Sequence, residues 1–194
     1  QLDPSNPDAW AGLARGKANL VFAGWSSNPG EDLRSAASAS HKALDIDSNN
    51  PDALFAKGQV FLAQRNFAAA LEAYEHACEL NPSHPNYHQL RGVAKLGLGK
   101  PIEAIEPIHE AIRLSPRDFF IADFYMCLGW AYWDVGEYEQ AKNWLERSIA
   151  QNSGIEATHF LLASTLIRMG QSEEAAAVIK RVLNEKPHWT VHLC

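Results

Sequence analysis

Residues 50–82 read NPDALFAKGQVFLAQRNFAAALEAYEHACELNP, and the spacing inside this stretch decides the fold. With Pro51 as position 1 of a unit, Gly58 stands at position 8, Phe61 at 11, Ala70 at 20, Tyr74 at 24, Ala77 at 27 and Pro82 at 32. Two antiparallel helices approach closely only where one offers a small side chain. Gly58 and Ala70 are therefore expected at the crossing, with Phe61 and Tyr74 filling the volume on either side. Ala77 is a small socket for the next unit. Asn50 suits the cap of the first helix, and Pro51 suits its first turn, where its missing N–H has no intrahelical use.

The same pattern returns. The third unit begins at Pro85, 34 residues after Pro51, and puts Gly92, Ala104, Ile108, Ala111 and Pro116 at positions 8, 20, 24, 27 and 32. The fifth, from Glu156, puts Ala163, Ala175, Ile179, Val182 and Pro187 there. The fourth, from Ala122, carries Gly129, Tyr132, Ala141, Leu145 and Ser148, and starts 37 residues after Pro85, so Phe119-Phe120-Ile121 reads as a three-residue insertion. The first begins at Pro7, where Asn6-Pro7-Asp8-Ala9 copies Asn50-Pro51-Asp52-Ala53; it is ten residues too long, with the excess placed around Ala23 to Glu31. Small and large residues in this 34-residue order resemble the tetratricopeptide repeat (TPR). The expected fold is all-α: one TPR solenoid of ten helices in five hairpins, wound as a right-handed superhelix. Its units span 7–50, 51–84, 85–121, 122–155 and 156–189. Pro107, inside the second helix of the third unit, is expected to kink it.

Composition narrows the function. The chain is 46% hydrophobic, too apolar for disorder. Its net charge is −6 with no basic cluster, which argues against nucleic acid and anionic membranes. No apolar run approaches the roughly 20 residues that span a bilayer. Leu2-Asp3-Pro4 matches Leu80-Asn81-Pro82, the end of a repeat, and further residues follow Pro187; the chain reads as a fragment of a longer protein. Cys78, Cys127 and Cys194 are scattered and read as buried thiols of a reducing compartment such as the cytoplasm.

Trp10-Ala11-Gly12-Leu13-Ala14, the lengthened first unit with Gly24-Trp25-Ser26, and Ala43-Leu44-Asp45-Ile46-Asp47 resemble one kind of bacterial TPR array. So do Gly99-Lys100-Pro101-Ile102-Glu103-Ala104-Ile105 and Arg113-Leu114-Ser115-Pro116-Arg117-Asp118. Such arrays follow class III adenylate/guanylate cyclase domains or winged-helix DNA-binding domains. The resemblance implies a regulatory module in signal transduction, attached to an effector outside these residues. No cyclase metal or nucleotide motif is present, so no catalytic residue carries over.

Other chemistry is thin. Gly97-Leu98-Gly99-Lys100 is a helix end and turn, not a phosphate loop. His84 and His88, like His188 and His192, stand four apart and lack a third metal ligand at firm spacing. No catalytic, cofactor or metal site is expected, and the chain is not read as an enzyme.

In a TPR superhelix, positions 2, 5, 9, 12 and 13 of each first helix line the concave face. The resemblance thus places Phe55, Gln59, Leu62, Gln89, Met126, Trp130, Trp133, Phe160, Ser164 and Ile167 in a partner-binding groove. Trp130 and Trp133 stand out, because Leu128, Gly129 and Tyr132 already occupy the packing positions of their helix. The family's clamp for chaperone C-termini needs Lys at position 5 and Asn at position 9 of one repeat, and no unit has that pair. The leading expectation is a protein-interaction module for a peptide, a helix or its own effector domain. A homodimerisation device and a small-ligand sensor are the alternatives.

Overall fold

The computed structural model describes residues 3–22 and 24–185. Among them are ten helices and no strand: α1 (Pro7–Phe22), α2 (Pro29–Ile46), α3 (Pro51–Ala63), α4 (Phe67–Leu80), α5 (Pro85–Gly97), α6 (Pro101–Leu114), α7 (Ile121–Val135), α8 (Tyr138–Gln151), α9 (Glu156–Arg168) and α10 (Ser172–Glu185). The chain parts into two compact bodies between Lys100 and Pro101, so α5 closes the first body and α6 opens the second. The tail carrying His188, His192 and Cys194 lies outside the described residues.

Asparagines start several helices. Asn50 Oδ1 accepts from the Ala53 N–H at 2.9 Å, and Asn66 does the same for the Ala69 N–H at 3.3 Å. Asn28 accepts from the Glu31 N–H at 3.3 Å while its own Nδ2 donates to Glu31 Oε2 at 2.8 Å. Each cap satisfies a backbone donor that the first helical turn leaves open.

In the first body, α1, α2 and α3 meet through rungs of small side chains: Ala11 with Ala43 and Ala53, then Ala14 with Ala39 and Ala56, then Ala18 with Ala36 and Val60. Beyond them, Leu54, Phe55, Tyr74, Cys78 and Tyr87 join α3, α4 and α5. Tyr74 lies on Gly58, where a Cβ would stand 2.5 Å from its ring. Gly97 similarly faces Phe67, whose ring occupies the space a side chain would need.

The ten extra residues of the first unit are shared out. Relative to the α3/α4 hairpin, three lengthen the end of α1, four lengthen the start of α2 and three enlarge the loop between them. Lys17, a turn before the extension of α1, ties α1 to the extended start of α2 by an ion pair of 2.7 Å to Asp32, which also accepts from Ser26 Oγ at 2.6 Å.

The second body is built on larger residues. Leu145 of α8 lies over Gly129 of α7, where a Cβ would come within 2.6 Å of it. Leu145, Leu162, Ala163, Leu166 and Ala175 form the core of α8, α9 and α10. Ser148 Oγ donates to the Ala122 carbonyl at 2.7 Å, locking α8 to α7. The insertion at 119–121 is not all loop: Ile121 begins α7 and is buried, with only Phe119 and Phe120 left in the turn. Burying Ile121 against Ala111 and Phe124 draws it into the helix. Helix α6 runs unbroken through the buried Pro107, and the carbonyl four residues earlier belongs to the exposed Glu103.

Candidate partner-binding face

On α7, residues 123, 130 and 134 fall within an arc of about 40° around the helix, and Met126 and Trp133 flank them on one side. Met126 is half-buried against the Leu145 core. Trp130 is half-buried, and its side chain hydrogen-bonds Asp134. Trp133 is half-buried with its indole N–H enclosed and without an acceptor among the described residues. An enclosed donor left unpaired costs about 1–3 kcal/mol. Helix α9 packs on α7 and brings Phe160 and Ser164, both half-buried, and Ile167, which is 60% exposed. Six of the ten expected residues therefore share two neighbouring helices.

The other four do not form a groove. Phe55 and Gln59 are each only 4% exposed and Gln89 8%, so these three are corrected from lining to core. Phe55 is taken up by rings on both sides, with centroids 5.7 Å from Tyr74 and 4.9 Å from Tyr87. Gln59 Nε2 donates to Asn19 Oδ1 at 2.8 Å. Leu62 is half-buried against the Phe55 cluster.

The polar chemistry of the first body was missed from sequence. Asp52 Oδ1 accepts from the Tyr87 hydroxyl at 2.6 Å and from Arg15 at 3.1 Å. Burial, aided by the bond to Asp52, pushes the Tyr87 hydroxyl far above its ordinary range. Asp8 accepts from Asn50 Nδ2 at 2.7 Å. The available signal was an aspartate at position 2 in three units, Asp8, Asp52 and Asp123.

Two carboxylates border the aromatic face of α7. Partial burial pushes Asp123 above its ordinary value, against a backbone hydrogen bond of its own residue that lowers it. Desolvation raises Asp134 as well, opposed by the bond from Trp130.

The histidines have other work. Position 4 makes the same bond in three units: Trp10 Nε1 donates to the Pro4 carbonyl at 3.1 Å, His88 Nε2 meets the Pro82 carbonyl at 2.7 Å, and His159 Nε2 the Ser153 carbonyl at 2.9 Å. Each side chain pins the turn six residues before it. His84 instead stacks on Tyr87, centroids 4.0 Å apart. Among the described residues no group of three or more His, Cys, Asp or Glu could hold a metal ion. Cys78 is buried, which pushes its thiol up and leaves it unreactive.

Comparison with known proteins supports the repeat. The family described as tetratricopeptide repeat matches residues 132–191, and the family described as anaphase-promoting complex, cyclosome, subunit 3 matches residues 31–111. The structure of PilW, a type IV pilus biogenesis factor, superposes with a TM-score of 0.79 at 20% identity, over 92% of this chain and 80% of its own. The fold is that of a tetratricopeptide-repeat array. A second structure, that of the TPR protein YrrB, superposes with a TM-score of 0.66 at 17% identity, over 95% of this chain and 88% of its own. A relative from Aspergillus fumigatus, named as the heat-shock protein cognate co-chaperone sgt12, is 24% identical over 91% of this chain and 54% of its own length. The chain spans between 9% and 54% of the length of the five curated relatives it matches. No helix among the described residues is long and apolar enough to cross a membrane.

Proposed function

We propose that the chain is a non-catalytic interaction module that holds a peptide or helix of a partner on the face of α7 and α9, with Trp130 and Trp133 as anchors. The observation that carries this reading is a face of half-open aromatic side chains, edged by an Ile167 that is 60% exposed. Aromatic residues in such positions supply much of the binding energy of protein interfaces. YrrB, whose fold this chain shares, is titled as a TPR protein with an unusual peptide-binding site, which supports a peptide as occupant. The co-chaperone name of the Aspergillus relative does not extend to the clamp for chaperone C-termini, because no repeat here has the required Lys and Asn. The resemblance of the first and middle units to arrays that follow cyclase domains supports an effector of the same polypeptide as one such partner.

Panning a random peptide phage library on the wild-type chain tests the reading. Selected peptides are expected to bind Trp130→Ala and Trp133→Ala at least tenfold more weakly, with both variants still melting cooperatively. Peptides that bind the variants as well as the wild type, or no selection at all, would overturn it.

One observation favours self-association as a second reading. Phe119 is 92% exposed and Phe120 51%, edge to face at 5.0 Å, in the turn before α7. Light scattering on the double variant Phe119→Ser/Phe120→Ser, against the wild type, decides whether this tip joins two copies.

A further inference from the structure

The charge around the aromatic face of α7 says more about its occupant. Asp123, Trp130 and Asp134 form one stripe along the helix, with the tryptophan between the two acids. Neither carboxylate has a cationic partner among the described residues: Arg113 pairs with Glu110 and Lys142 with Glu174. Arg168, the nearest candidate on α9, is spent on α8, where its guanidinium lies 5.4 Å over the Tyr138 ring and donates to the Tyr138 hydroxyl at 3.0 Å. Asp123 is half-buried, which raises its carboxyl, and the exposed Asp134 is shifted in the same direction. Asp134 also stands in the last turn of α7, where the helix dipole opposes a negative charge. Asp123, in the first turn, is favoured by the same dipole and bonded by its own backbone; what the two acids share is the lack of a cationic partner among the described residues.

We infer that the occupant of this face is a basic, apolar-centred segment: one aliphatic or aromatic side chain seated against Trp130, with a lysine or arginine on each side reaching Asp123 and Asp134. This rests on the functional reading above and adds the chemistry of the ligand. The two acids are eleven positions apart, which on a helix is about 16 Å. An extended ligand covers that distance in about five residues, a helical one in eleven. The indole faces of Trp130 and Trp133 favour the same charge, since a cation is attracted to an aromatic face. An acidic segment would meet two carboxylates of its own sign with no cation between them and be rejected.

The test uses fluorescein-labelled peptide pools with a central Leu or Phe, two lysines five or eleven positions apart, and random uncharged residues elsewhere. Matched pools carry Glu or Gln in place of Lys. Polarisation is measured on the whole chain at about 50 mM and 500 mM salt, a range over which the screening length falls severalfold. One lysine pool is expected to bind at least tenfold more tightly than its Gln and Glu counterparts at low salt, and to lose that advantage at high salt. Asp123→Asn/Asp134→Asn should remove the difference between Lys and Gln pools. Equal binding of Lys and Gln pools, no binding of the Lys pools, or an unaltered preference in the double Asn variant overturns the inference. The two readings fail separately: panned peptides that depend on Trp130 but carry no Lys or Arg would sink the basic ligand and keep the interaction module. Lysine pools that bind Trp130→Ala as they bind wild type would sink the module's anchor.

Discussion

The same repeat positions have opposite fates in the two bodies. In the first, positions 2, 5 and 9 of the leading helices are spent internally: Asp52 serves Arg15 and Tyr87, Phe55 is sandwiched by tyrosines, and Gln59 bonds Asn19. In the second, the equivalent Asp123, Met126 and Trp130 of α7, with Phe160 of α9, are only half-covered, and the acid lacks a cation among the described residues. A repeat template fixes where a side chain starts, and the neighbouring unit decides whether it is free. Binding capacity is thus a property of pairs of repeats.

The sharpest way to break this comparison is to truncate matched positions. Phe55→Ala should cost about 3–5 kcal/mol, the range for a buried aromatic, and Trp130→Ala clearly less. Equal shifts of the urea midpoint would mean that both faces are core. Gly58→Leu and Gly129→Leu probe what the bodies share. Each drives a large side chain into Tyr74 or Leu145 and should cost about 1–3 kcal/mol or more. An unchanged urea midpoint for either glycine would remove it from the crossing. Tyr87→Phe tests the internal network, since a hydrogen bond to a charged group is worth about 1.5–3 kcal/mol. A melting temperature equal to the wild type would show that Asp52 and Tyr87 are not coupled in solution.

The smallest effect has the opposite sign. Asp134→Asn should stabilise by about 0.3–1 kcal/mol at neutral pH, by removing a charge that the dipole opposes. The folded carboxyl titrates above its unfolded value, so the native state takes up its proton first. The wild-type penalty is therefore complete above the folded value and gone below the unfolded one. The variant's advantage should shrink as pH falls through the carboxylate range. Thermal melts in which it instead grows on acidification would contradict the assignment.

The crossings were legible in sequence because the requirement is local: Gly58 under Tyr74 and Gly129 under Leu145 need only their own hairpin. Helix starts were legible for the same reason at Asn50-Pro51. The fate of Phe55 was not, because it depends on Tyr87, 32 positions away on another unit. Gln59 depends on Asn19, 40 positions away on another unit. On α7, Leu128 and Gly129 visibly occupy the packing positions, and Trp130 and Trp133 beside them are half-buried. The carboxylates beside them escaped notice because scattered acids look like solvated surface until the missing cations are seen.

The lengthened first hairpin has a consequence of its own. Its two helices grew by three and four residues, the whole numbers that bracket one turn of 3.6. The added turn lies beyond the alanine rungs, which stay below it against α3. Residues added at the tip extend α1 past Ala18 and α2 ahead of Ala36, so neither set of rungs is rotated. The hairpin tip is therefore a port where protein engineers can graft sequence and leave the rest of the stack undisturbed.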